Sequence, residues 1–249
     1  MIGLLVYELE ITLQERVFFA SREIDKFFLT EPVIGNYALA YAFNLVTAPY
    51  RVGDVKNEEP VYKVDLTSLN RRGIYLTPAT PLQKPVLVVE RFNALTDSYW
   101  YQMSPNVVVG DLAYKLDKEL KRRPANFPQE GYLRLLARGN RLGMFLCSRE
   151  EVDIPPYIRL GKFNSKARVK IVQQWENPPR MYREDVPIDY YLNPLDIPAS
   201  SRVKLFDLLS VPPVPLIKNI VLSGEFYQLA KGKCLPAGMA FGGLEECAP

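Results

Sequence analysis

The sequence predicts an α+β fold: a βαββαβ, ferredoxin-like core carrying long insertions. Three observations predict it. Residues 4–13 alternate apolar and polar, the period of a half-buried strand. Residues 33–46 repeat apolar side chains at helical spacing. Beyond them, strand-like pairs and a second helical stretch complete the order strand, helix, hairpin, helix, strands. The 21 prolines argue against a simple helical bundle.

In the first segment Leu5, Tyr7, Leu9, Ile11 and Leu13 share one face, and Glu8, Glu10 and Thr12 the other. An aromatic-rich loop or short helix, FFASREIDKFFLTEP, follows. Thr30 then suits a helix N-cap, with Pro32 in the first turn. The helix 33–46 carries Ile34, Ala38, Ala42 and Leu45 on one stripe. Residues 50–85 hold many breakers and read as an insertion, with short strands around Tyr62–Leu66 and Ile74–Leu76. Residues 86–92 and 98–103 predict a hairpin. Asp111 suits the cap of a helix running to Lys121. Residues 132–147 predict a second hairpin turning at Arg138–Arg141, and residues 167–174 a further strand. The stretch 176–215 is proline-dotted, with a short helix expected at 200–210. Residues 217–230 supply one or two last strands. The domain organisation expected is one domain over 1–249, with 50–85 inserted.

Histidine is absent. That removes Ser-His-Asp and Cys-His chemistry and the usual zinc sites, while carboxylate, Tyr or Lys chemistry stays possible. Cys147, Cys234 and Cys247 have no CxxC spacing and read as ordinary free thiols. No Walker loop or GxGxxG fingerprint occurs, and neither a cofactor nor a metal is expected. The first residues run into charge after seven apolar or neutral positions, too short for a signal core, and no apolar run reaches membrane-spanning length. The chain is expected to be cytoplasmic.

The net charge of +3 is small, but its distribution is uneven. Between Arg159 and Arg183 seven cations face one anion, Glu176. Within IRLGKFNSKARV, the cations Lys166, Arg168 and Lys170 alternate with Ala167, Val169 and Ile171, which puts cations on one face of a strand and apolar residues on the core face. Gly161 can bring backbone close to a phosphate, and Asn164 and Ser165 can donate hydrogen bonds. Phe163 can stack on an unpaired base, a contact of about 1–3 kcal/mol. The same residues also suit a solvated basic strand after an ordinary turn. Ser21 and Arg22, beside Phe18 and Phe19, suit phosphate and base contact, or a core aromatic pair with a surface Arg22–Glu23 ion pair. Asn36, Tyr37 and Tyr41 border the first helix's apolar stripe, where a Tyr pair also serves packing. Lys121-Arg122-Arg123 would complement a helix dipole. Arg71 and Arg72 lie in the insertion, where surface charge is common.

FFASREI, TEPVIGNYALAYAFNLV, GIYLTPATP and IRLGKFNSKARV, in this order, resemble the CRISPR-associated RAMP subunit of subtype I-D Cascade, the Csc-one type of the Cas-five family. The resemblance spans about residues 1–175 and leaves 176–249 poorly matched. It implies a ferredoxin-like (RRM-like) RAMP core with a thumb-like extension, most simply in 50–85. It implies a non-catalytic subunit that holds the 5′ handle of the CRISPR RNA and contacts the backbone and large subunits, with target DNA near the PAM a further possible contact. Carried over residue by residue, handle contacts fall on Ser21, Arg22, Gly161, Lys162, Ser165, Lys166 and Arg168, beside the stacking ring Phe163. Asn36, Tyr37, Tyr41, Arg71 and Arg72 are further candidates. Two other readings remain at this point. One is a metal-independent endoribonuclease that processes precursor CRISPR RNA with Tyr and Lys. The other is a protein-interaction module.

Overall fold

The computed structural model describes residues 3–46, 62–93, 106–109, 112–115, 130–230 and 232–242. Among them the chain is mostly β-sheet with two α-helices, an α+β arrangement. The elements are β1 (Leu5–Leu13), β2 (Arg22–Ile24), β3 (Phe27–Leu29), α1 (Asn36–Ala42), α2 (Tyr62–Arg72), β4 (Tyr75–Leu76), β5 (Thr80–Pro81), β6 (Leu87–Asn93), β7 (Asn106–Val109) and β8 (Leu112–Lys115). They continue with β9 (Glu130–Leu136), β10 (Arg141–Ser148), β11 (Tyr157–Leu160), β12 (Ser165–Glu176), β13 (Arg180–Ile188), β14 (Arg202–Leu209), β15 (Leu216–Ala230) and β16 (Lys233–Pro236).

The central sheet runs β11-β12-β1-β10-β4, all neighbours antiparallel, with β5 also on β10. β1 is central because it alternates: Tyr7, Leu9, Ile11 and Leu13 enter the main core with Leu39 of α1 and Leu66 and Leu69 of α2. On its outer face Val6 is also buried, against Leu229 and Leu235 of a second sheet, β13-β15-β14 with β16 on β15. Towards the other end that face opens, exposing Arg168 and Lys170. A third sheet, β2-β3-β9-β6, extends from the side, and β7 pairs with β8.

Several elements differ from the sequence reading. α1 begins at Asn36, not after Thr30, because Ile34 is extended and exchanges both backbone bonds with Ala79. Thr30 instead both accepts from the Phe19 N–H at 3.0 Å and donates to the Phe19 carbonyl at 2.9 Å. The aromatic loop after β1 forms the β2–β3 hairpin. The strand expected at Tyr62–Leu66 is the start of α2, since Leu66 and Leu69 reach the core at helical spacing. The two arms of the expected 132–147 hairpin part company: β9 pairs with β3 and β6, and β10 with β1, β4 and β5. Their turn is knitted to β1, with the Gly139 N–H donating to Leu13 and the Leu13 N–H to Asn140. Within 200–210 the chain forms a strand, Arg202–Leu209, and not a helix, because the long β15 offers β14 a ladder.

Residues 112–115, expected to be helical, pair with β7, while Asp111, Lys121, Arg122, Arg123 and the expected strand 98–103 lie outside the described residues. Between β10 and β12 there is no helix; β11 occupies that stretch.

Candidate nucleic-acid interface

The two segments singled out by sequence meet. The turn after β11 holds Gly161 at φ +69° and Asn164 at φ +51°, both left-handed. A Cβ on Gly161 would lie 2.4 Å from the Phe18 carbonyl oxygen, so glycine allows the turn to press onto the strand after β1. The Lys162 N–H donates to that carbonyl at 2.9 Å. Phe163 then stacks on Phe18, centroids 5.3 Å apart and planes at 26°, yet stays 55% exposed. Gly161 thus brings backbone close to backbone, where the sequence suggested a phosphate.

Beside this contact runs a cavity of about 310 Å³, walled by Phe19, Ser21, Tyr37, Lys162, Pro212 and Pro213 among others. Its lining is apolar apart from a few groups, with Lys162 the cation at its edge. The Ser21 hydroxyl accepts from the Glu31 N–H at 3.1 Å and keeps its own proton to donate. Arg22 follows directly, its guanidinium 3.3 Å from Glu31.

On β12 the cation stripe is present. Ala167 and Val169 are buried, and Lys166, Arg168 and Lys170 turn outward. Ile171 does not join the core: it is 46% exposed, because a bulge opposite Glu8–Leu9 shifts the register and β11 ends its pairing at Arg168. Lys166 holds its ammonium 4.1 Å from the Tyr157 ring centroid. The Lys166 N–H donates to Glu15, and further along β1 Glu10 takes two bonds from Arg141, which hold the Glu10 carboxyl below the usual carboxylate range. Glu10 also lies opposite Lys170 in the ladder.

Other expected contacts point elsewhere. Ser165 is buried and donates to the Arg16 carbonyl at 2.6 Å. Asn36 is 2% exposed and donates to Asp196. Both side chains tie the fold together, and Asn36 also lines the cavity. Tyr37 lines the cavity but is largely buried, and Tyr41 packs on the main core. Arg72 binds Glu150 and the Leu45 carbonyl, and neither it nor Arg71 lines the cavity.

Residues 4–244 match the family described as type I-D CRISPR-associated protein Cas5/Csc1. The chain belongs to that family. A solved chain from the cryo-EM structure of Type III-B Cmr-beta bound to cognate target RNA and AMPPnP is similar over 87% of this chain and 83% of its own, at 10% identity and a TM-score of 0.36. No curated protein matches.

The family match extends through 176–244, which the sequence motifs left open. In this Cas5/Csc1 chain that part supplies the Pro212-Pro213 wall of the cavity. Sequence reading missed this wall, and also Tyr157 under Lys166. The only local signal for Tyr157 is its place on a strand one turn before a basic strand. Among the described residues no helix is long and apolar enough to cross a membrane.

Proposed function

We propose that this Cas5/Csc1 chain is a non-catalytic, cytoplasmic RNA-binding subunit that caps the 5′ handle of the CRISPR RNA and anchors the backbone and large subunits of a type I-D Cascade. One observation carries it: the glycine-dependent docking of the 161–164 turn on Phe18. That contact gathers an exposed aromatic, Lys162, Ser21 and an apolar cavity beside the Lys166–Arg168–Lys170 stripe. Cations for phosphates and an exposed ring for a base are what a single-stranded handle needs. The central sheet's order β12-β1-β10-β4, antiparallel throughout with α1 and α2 in the β1-to-β4 crossover, supports a ferredoxin-like RAMP core whose second helix is replaced by β11.

The test is anisotropy of labelled handle RNA with the triple variant Lys162→Glu, Lys166→Glu, Arg168→Glu. Affinity should fall more than about tenfold at moderate salt, and the salt dependence should flatten. Wild-type affinity in a folded triple variant rejects this site. Incubation with labelled repeat RNA should leave it intact; specific cleavage by the purified chain rejects the non-catalytic reading.

A further inference from the structure

Asn36 belongs to two environments at once. Its side chain lines the cavity, and its amide nitrogen donates to Oδ2 of Asp196, a carboxyl only 2% exposed. The same Oδ2 takes the Tyr75 hydroxyl, and Oδ1 takes the Gly242 N–H. Three donors from α1, β4 and the far end of the described chain thus converge on one buried group. Among the described residues no cation pairs with it. The titratable groups around it are Tyr37 on α1 and Tyr75 on β4, with Cys147 opposite Tyr75 in the ladder. Burial, with the Asp196 carboxylate adding to it, raises both phenols above their ordinary 10, and burial pushes the Cys147 thiol up to about 12. All three stay neutral between pH 6 and 8, which leaves Asp196 as the group that titrates there.

The two protonation states of Asp196 arrange these donors differently. An ionised carboxylate accepts all three bonds. A proton on Oδ2 turns that oxygen into a donor. The Tyr75 hydroxyl can turn to accept it, whereas the Asn36 nitrogen can only donate and is displaced. Of the three donors Asn36 is the one that lines the cavity, so the bond set free is one that an acceptor oxygen in the cavity can take. Charge acts in the same sense. An anion in the cavity disfavours a carboxylate held directly behind its wall.

We propose that Asp196 is a positioning residue for the cavity: its protonation releases the Asn36 amide to a phosphate or base oxygen there, so that binding a strand takes up one proton from solvent. The inference rests on the cavity taking part of the CRISPR RNA handle. Burial pushes Asp196 up to about 7, so the exchange falls at neutral pH.

The test is anisotropy of handle RNA with a 5′ hydroxyl and a 3′ label, which leaves no terminal phosphate to titrate. Wild-type affinity should fall about fivefold from pH 6 to pH 8, as expected when binding raises one group by about one pKa unit. Asp196→Asn is a neutral mimic of the protonated side chain and should keep the pH 6 affinity throughout. Asn36→Leu should bind weakly at both pH values. A purely structural Asp196 would leave the pH profile of Asp196→Asn parallel to that of the wild type, and that result overturns the proposal. The handle reading fails separately. If Lys162→Glu weakens binding while wild-type affinity ignores pH, the handle site stands and this inference falls. If Lys162→Glu and Asn36→Leu both bind like the wild type, the cavity holds no RNA and both fall. Should the variants not fold, calorimetry of the wild type at pH 7 in buffers of different ionisation enthalpy counts the protons. Uptake of roughly 0.4 proton per RNA bound supports the proposal, and no uptake overturns it.

Discussion

Asn36 donates its side-chain amide to the carboxylate of Asp196 at 2.6 Å, joining the first turn of α1 to a short 3-10 turn late in the chain. Tyr75 donates to the same oxygen at 3.0 Å, and the Gly242 N–H to the other at 2.9 Å. Phe241, fully buried between Tyr37 and Tyr75, closes the assembly. Among the described residues no cation pairs with this carboxylate. Burial pushes Asp196 up to about 7 from an ordinary 3.8, and the bonds from Gly242, Tyr75 and Asn36 offset only part of that.

The first prediction concerns pH. With a folded-state pKa above its unfolded value, Asp196 is neutral in the native chain while ionised in the unfolded chain between about pH 4 and 7. The native state binds the extra proton there, so its stability falls as pH rises through that window and levels off above it. The slope is at most about 1.4 kcal/mol per pH unit. Asp196→Asn should remove this component. Urea midpoints of both proteins at several pH values check it, and parallel slopes would show that another group titrates.

The second concerns the turn. Gly161→Ala places a side chain in left-handed backbone, at a cost of about 1–2 kcal/mol, and drives its Cβ into the Phe18 carbonyl. That carbonyl cannot retreat without breaking its bond from Lys162. A melting temperature lower by roughly 2–8 °C is expected, together with weaker RNA binding as Phe163 lifts off Phe18. Normal melting and normal binding would mean that the turn is not locked to this strand.

These two sites show what sequence could reveal. β1 and the start of β12 were legible because half-buried strands alternate, and the cations of β12 fell on the expected side. The pairing of β9 and β10 was not, because alternation marks a strand without naming its partner. β1 and β6 claim the two arms separately. Asn36 looked like a surface polar residue on a helix rim. Only the arrival of Asp196 from the far end of the chain makes its burial favourable. Phe163 was singled out as a stacking ring, but its support by Phe18 is a long-range contact that no local pattern encodes.

The third prediction separates structure from binding. Arg72 gives two bonds to Glu150, at 2.9 and 2.6 Å, and one to the Leu45 carbonyl at 3.1 Å. Both charged side chains are about two-fifths exposed, so the pair contributes at most about 1 kcal/mol. Arg72→Ala should lower the melting temperature by no more than about 2–4 °C and leave RNA affinity unchanged. A tenfold loss of affinity in a folded Arg72→Ala protein would return this residue to the interface.

The fourth tests the field over the outer face of the central sheet. Glu10 is the carboxylate among Arg141, Lys170 and, through Thr12, Arg168. Its lowered pKa keeps it ionised at neutral pH, so it subtracts one charge from the stripe that the proposed RNA would meet. Glu10→Gln restores that charge and releases the Arg141 guanidinium. At a separation near 7 Å in water one unit charge is worth about 0.6 kcal/mol, or roughly threefold in affinity. Handle RNA should therefore bind Glu10→Gln about threefold more tightly at low salt, with the gain fading as salt screens the charge. Anisotropy titrations at low and high salt measure both. A variant that binds no better at low salt would place the RNA backbone away from this end of the sheet and leave the Phe163 turn and its cavity as the contact.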